Sequence, residues 1–268
     1  MRRPRFFLVL AAVTLAVSAC SAAPIAEDQE ASEDDISGAP GTVGHFVQHP
    51  GNCSTGVVRG LAEQVMQEVH CMKPGVFSRV TEFKNLRFGK GDVNADGDEE
   101  DDNAEILPLL QVPTALALAK IASTSSSPIT LTSAFRTMPQ QFLLYQWRRR
   151  GACSLGLVAQ IGKSTHESGL AVDIRDHAAH KENLTSAGFR WKGARDSVHF
   201  DYVGPGILDV TGIDVLAFQR LWNRNNPKDV IVEDGEYGPA TRDRMAKTPV
   251  AGFPLGASCE EEVPTTKL

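Results

Sequence analysis

Ser164-Thr165-His166-Glu167-Ser168-Gly169-Leu170-Ala171-Val172-Asp173 is the stretch from which the rest of the chain can be read. Gly169 permits a tight turn or a close backbone approach, and Gly169 to Ile174 reads as a strand. Side chains of a strand alternate between two faces. Ala171 and Asp173 therefore share one face, and Leu170, Val172 and Ile174 share the other. A single carboxylate on a face of small residues is how a ligand is presented. His166 stands just before this strand. A later segment, Val198-His199-Phe200-Asp201-Tyr202, also reads as a strand, with His199 and Asp201 on one face and Phe200 and Tyr202 on the other. Two imidazoles and one carboxylate leave a metal position open for water, the pattern of catalytic rather than structural zinc. Zn2+ held by His166, Asp173 and His199 is the expected cofactor.

Working outward, Ile129 to Ser133 alternates and predicts another strand. Apolar residues at helical spacing (Val57, Leu61, Val65, Val69) predict a helix over 56–72, stopped by Lys73-Pro74-Gly75. Thr114 to Ser123 and Met138 to Arg150 also read as helices, and Gly151 ends the second. This mixture predicts an α+β fold with a small sheet. Trp147 suits core packing, while Trp191 is a candidate for the wall of a substrate groove.

The pattern S-x-H-x-x-G-x-A-x-D, followed by a later strand bearing His, resembles the M15 family of zinc DD-peptidases. Every specified position is matched here, and the resemblance covers roughly Ile129 to Tyr202. It implies the compact fold shared by DD-peptidases and hedgehog signalling domains, with a small antiparallel sheet. It also implies hydrolysis of peptidoglycan stem peptides, in the first place as a D-alanyl-D-alanine carboxypeptidase. The alternatives are an L-alanyl-D-glutamate-type endopeptidase and a non-catalytic wall-binding lipoprotein.

Further positions follow from the resemblance. Ser133-Ala134-Phe135-Arg136-Thr137 resembles the family's S-x-x-R-T segment, which casts Arg136 as the group that holds the substrate carbonyl or the oxyanion. Gln140 or Gln141 opens the following helix; Gln140 and Ser164 are taken as substrate-binding or supporting residues. Many members carry Glu three residues before the last ligand as the catalytic base, and here that position is Asp196, one methylene shorter. Asp201 is the competing base, although sharing a face with His199 suits it to orienting that ligand.

The N-terminus points to export. Met1-Arg2-Arg3-Pro4-Arg5 is a positive n-region and Phe6 to Val17 an apolar h-region. Val17-Ser18-Ala19-Cys20 resembles a bacterial lipobox, which makes 1–19 a signal peptide and Cys20 the lipidated residue. A polar stretch over 20–45 then reads as a disordered tether. The expected location is the cell envelope, lipid-anchored, on the outer membrane facing the periplasm in a Gram-negative host. Net charge is −6 with no basic run beyond the signal and Arg148-Arg149-Arg150, so nucleic acid is not an expected partner. Stem peptides and the membrane are, and the chain is expected to be a monomer.

Cys53, Cys71, Cys153 and Cys259 remain once Cys20 is set aside, and an oxidising compartment favours disulfides. Cys53 with Cys71, and Cys153 with Cys259, is the expected pairing. Asp92, Asn94, Asp96 and Asp98 alternate oxygen side chains around Gly97, a partial calcium-loop pattern within an acidic run. The bidentate Glu such a loop needs is replaced by Asn103. Past the peptidase region, Val215 to Trp222 reads as an amphipathic helix, followed by Asp234-Gly235-Glu236-Tyr237-Gly238-Pro239-Ala240-Thr241. The combination resembles a peptidoglycan-binding helical module, with Thr241 at the start of its second helix. The expected organisation is thus a helical N-terminal region with the acidic loop (46–110), a peptidase domain (111–205), a wall-binding-like segment (206–256) and a tail (257–268).

Overall fold

The computed structural model describes residues 36–89, 105–260 and 263–265. The expected signal peptide (1–19), the expected lipidation site Cys20 and the calcium candidates Asp92, Asn94, Asp96 and Asp98 lie outside the described residues, and the calcium reading gains no support.

A five-stranded sheet carries the expected strands. Its order is β2 (Leu86–Phe88), β4 (Ile129–Ser133), β5 (Ala171–Ile174), β7 (His199–Tyr202) and β6 (Phe189–Trp191). All neighbours are antiparallel except β2 and β4, which run parallel. β1 (Phe77–Arg79) and β3 (Leu109–Gln111) form a separate antiparallel pair. The alternation read from the sequence sets the faces. Ile129, Leu131, Val172, Ile174, Phe200 and Tyr202 form one apolar layer with Leu118, Ala119 and Ile121 of α3 (Val112–Thr124). The opposite face of β5 and β7 is left for polar residues.

A second core is helical. α2 (Arg59–Met72) buries Leu61, Val65 and Val69, three of the four residues that predicted it; Val57 falls in a 3-10 turn, Thr55–Val58, ahead of the helix. Phe142 and Trp147 of α4 (Met138–Arg149) join it, as do Val215, Phe218 and Leu221 of α6 (Ile213–Asn225). Truncating a side chain as buried as Trp147 to Ala costs about 3–5 kcal/mol. α5 (His177–Ser186) covers β6, and α7 (Pro239–Lys247) packs on α1 (Val43–Gln48). The described residues fall within a single compact unit, and α6 lies against α2. The fully buried Glu68 of α2 holds Arg224 at 3.0 Å and accepts from the backbone N–H of Ser258 at 2.7 Å.

Three expectations change here. The tether does not reach residue 45: Ile36 is buried, its carbonyl accepts from Arg150, and α1 begins at Val43. Thr241 does not begin α7; Gly238 caps it, and the Thr241 hydroxyl accepts from Gln219 Nε2 at 3.1 Å. The disulfides are Cys53–Cys153 and Cys71–Cys259. Cys53 precedes α2 and Cys71 lies in its last turn, so the helix itself, rising ~1.5 Å per residue, holds them apart. The bridges instead close loops with sequence separations of 100 and 188 residues. In the chain-entropy account, loops of such length restrict the unfolded chain by about 4–5 kcal/mol each.

Candidate metal centre and cleft

The pairing of β5 with β7 sets Asp173 directly opposite His199 and Ala171 opposite Asp201. His166 arrives from the preceding turn, which Gly169 makes possible. Gly169 has φ of +65°, and a Cβ there would lie 2.9 Å from the Phe77 ring and 3.0 Å from the Gln111 nitrogen.

Three atoms converge. His166 Nε2 lies 3.3 Å from Asp173 Oδ1 and 3.2 Å from His199 Nδ1, and His199 Nδ1 lies 3.2 Å from Asp173 Oδ1. The far nitrogens decide the tautomers. His166 Nδ1 donates to the carbonyl of Ala134 at 2.8 Å, and His199 Nε2 donates to Asp201 Oδ1 at 2.8 Å. Both remaining ring nitrogens therefore turn a lone pair to the same point as a carboxylate oxygen. Tetrahedral zinc with bonds of about 2.0–2.1 Å requires ligand atoms about 3.3 Å apart, so these three residues fit the metal. Among the described residues this is the one group of three or more such side chains gathered closely enough to hold an ion.

Without a metal the cluster polarises itself. Burial pushes the His166 ring below its ordinary pKa, against the pull of Asp173. Burial also works to raise Asp173, but His166, His199 and Arg136 outweigh it and hold that carboxyl well below the usual range. At His199, burial is outweighed by Asp173 and Asp201, and the pKa rises to about 9. Asp201 is opposed by burial yet held low by His199 and Thr165, whose hydroxyl donates to it at 2.7 Å. This is the orienting arrangement that steadies a metal-bound imidazole.

Around the cluster lies a cleft of about 290 Å³, lined by Arg136, Leu157, Ala159, Lys163, Lys192 and Asp196 among others. Arg136 is held in place: Nη2 donates to Ser133 Oγ at 3.0 Å, and Nη1 donates to Gln141 Oε1 at 3.1 Å. Asp196 closes a short 3-10 turn, Ala194–Asp196, on the approach to β7 and faces the cleft. Ser164 also lines it, and its hydroxyl accepts from the His166 N–H at 3.3 Å.

Gln140 is not part of the cleft. Its Oε1 accepts from the Thr137 N–H and its Nε2 donates to the Glu105 carbonyl, which makes it a cap of α4. The neighbouring Gln141 does the work expected of Gln140, bridging Arg136 to the Ala159 carbonyl. Helical phase separates the two: one residue of advance turns the side chain by about 100°. Lys163, Lys192 and Leu157 were not found from the sequence because they belong to no motif; only folding brings them to the rim. Trp191 is not among the cleft residues; its ring packs under Lys181.

Residues 111–201 match the VanY family, D-alanyl-D-alanine carboxypeptidase. The VanY stretch covers less than half of the chain, yet it contains the whole His166, Asp173, His199 cluster with Arg136 and Asp196. Over this stretch the chain is similar to M15 peptidases acting on peptidoglycan, a zinc-dependent family, and the α+β architecture agrees with a DD-peptidase-like domain. The match ends before α6 and does not bear on the C-terminal segment. No curated protein and no solved structure matches the chain.

Proposed function

We propose that the protein is a zinc-dependent D-alanyl-D-alanine carboxypeptidase of the cell envelope, removing the terminal D-alanine from peptidoglycan stem peptides. One observation carries the reading: a triangle of lone-pair atoms with edges of 3.2 to 3.3 Å, open to a cleft within the VanY stretch. When bound there, zinc supplies Lewis acidity, which acidifies water and polarises a carbonyl.

The chain's own residues supply the rest. Arg136, fixed by Ser133 and Gln141, donates to the carbonyl oxygen as negative charge grows on it, a contribution of about 3–4 kcal/mol by analogy with oxyanion donors. The Asp196 carboxylate takes a proton from the attacking water and returns it to the leaving amine. Lys163 and Lys192 on the rim supply positive charge for a free terminal carboxylate, which favours cleavage at a chain end over an internal bond. The anchor belongs to the same reading: Cys20 carries the lipid, and α6 with the Asp234–Pro239 turn contacts the wall. Among the described residues no helix is long and apolar enough to cross a membrane.

Digestion of purified muropeptides, with the products weighed, tests the activity. Pentapeptide stems should lose one alanine. Products split between L-alanine and D-glutamate would replace the carboxypeptidase with an endopeptidase. No turnover by zinc-loaded protein would leave a wall-binding lipoprotein.

A further inference from the structure

Glu167 follows His166 in the motif, and Asp214 is the second residue of α6. The two acids are 2% and 0% exposed, and their side chains hydrogen-bond to each other. Glu167 Oε1 accepts from the Gly162 N–H at 2.9 Å, and Oε2 accepts from the Ser164 N–H at 3.0 Å. Both Glu167 oxygens are thereby engaged by backbone N–H groups of the turn. Asp214 Oδ1 accepts from the Val215 N–H at 2.9 Å, while Oδ2 meets no other group. Burial, first, and the neighbouring Glu167 raise the Asp214 carboxyl well above its ordinary range.

The backbone is close-fitted at the same place. Gly162 has φ of +75°, and a Cβ there would lie 3.1 Å from Val215 Cγ2. Ile161, Ile213 and Val215 share one apolar cluster. An apolar residue at 214 would fill this space without the cost of burying an acid, so the carboxyl has a task that packing does not explain. Glu167 grips the two N–H groups that shape the turn before His166. The His166 carbonyl in turn accepts from the N–H groups of Arg136 and Gly169. A shift of this turn displaces a metal ligand and the cleft arginine together.

We infer that Asp214 is a positioning residue for the metal centre, acting through Glu167 on the turn that carries His166. α6 then completes the peptidase site, although it lies beyond the VanY stretch. The inference rests on the proposed zinc site.

The test uses the full mature protein as Asp214→Ala, Asp214→Asn and a His166→Ala control. Zinc affinity is read by chelator competition, and kcat and KM on a pentapeptide stem. Asp214→Ala should weaken zinc binding about tenfold or more and lower kcat with KM little changed. Asp214→Asn keeps both bonds, its amide N–H donating to Glu167 and its oxygen accepting from Val215, and should restore both values to within about threefold of wild type. Wild-type zinc affinity in Asp214→Ala, or equal losses in both variants, overturns the inference. Zinc retained by His166→Ala is a separate failure, of the metal site itself. If Asp214→Ala does not fold, Asp214→Leu, close in size to Asp and without a polar group, is measured in its place. A tenfold loss of zinc affinity there supports the inference, and unchanged affinity overturns it.

Discussion

The His166, Asp173, His199 cluster and the Glu167, Asp214 pair are joined by one peptide bond, and both bury ionisable groups. They meet that cost in opposite ways. The acid pair is held by the chain: Glu167 takes two backbone N–H groups, Asp214 takes the Val215 N–H, and the two carboxyls lie against each other. In the imidazole cluster with both rings neutral, as zinc binding requires, the ring hydrogens are directed away, to Ala134 and Asp201, and three acceptor atoms face one another. A buried polar group needs a partner. Where the chain supplies it, the group serves to hold shape; where acceptors converge without a donor, the missing partner is a cation. The two clusters differ in residue type, two imidazoles with a carboxylate against two carboxyls, and in the direction in which their hydrogens point.

Removing a converging acceptor should break the comparison most sharply. His166→Ala or His199→Ala should take bound zinc from about one equivalent per chain to none, by metal analysis of purified protein, and abolish turnover. Full metal in both variants would mean the cluster is as self-sufficient as the acid pair.

Next in size is the division of labour between Asp196 and Asp201. Asp196→Asn should keep zinc and lose about 100- to 10,000-fold in kcat, the range for a lost acid–base group. Asp201→Asn replaces the charged acceptor of His199 Nε2 with a neutral amide oxygen and should weaken zinc affinity by about tenfold or more. An active Asp196→Asn beside a dead Asp201→Asn that retains metal would exchange the two roles.

The pH dependence is a gentler probe. In metal-free protein His199 has a folded pKa of about 9 against an unfolded value of 6.5. Its stabilisation is complete below pH 6.5 and fades as pH rises through about 9. Thermal unfolding of chelator-treated protein should therefore move to lower temperature across that window, and His199→Ala should flatten the trend. Zinc needs the neutral ring, so metal uptake at pH 7 should release about one proton, measurable by calorimetry in buffers of different ionisation enthalpy.

The smallest expected effect separates two adjacent glutamines. Gln140→Ala should cost about 1 kcal/mol of stability as a lost cap and leave kcat unchanged. Gln141→Ala should leave stability closer to wild type and lower kcat several-fold by freeing Arg136, within the range of a lost supporting contact. Reversal of the two would return Gln140 to the cleft.

Strand alternation was legible from residue order, because the period of two holds for any strand whatever it pairs with. It separated Asp173 and His199 from Val172 and Phe200, and the sheet keeps that division. Helices with a strong apolar stripe were legible for the same reason. β6, α5 and the β1–β3 pair were not. The three strands β1, β3 and β6 are short, and α5 carries almost no apolar periodicity, burying only His180 and Leu184.

Local chemistry thus determined which residues can bind metal and which face of each strand is apolar. Those properties depend on residue type and on neighbours a few positions away. Tertiary structure alone decided that Cys53 meets Cys153, that Gln141 rather than Gln140 reaches Arg136, and that Asp214 reaches Glu167. Each of these contacts joins groups whose separation is set by the rigid length and rotation of the helices between or beside them, a geometry fixed only when those helices pack.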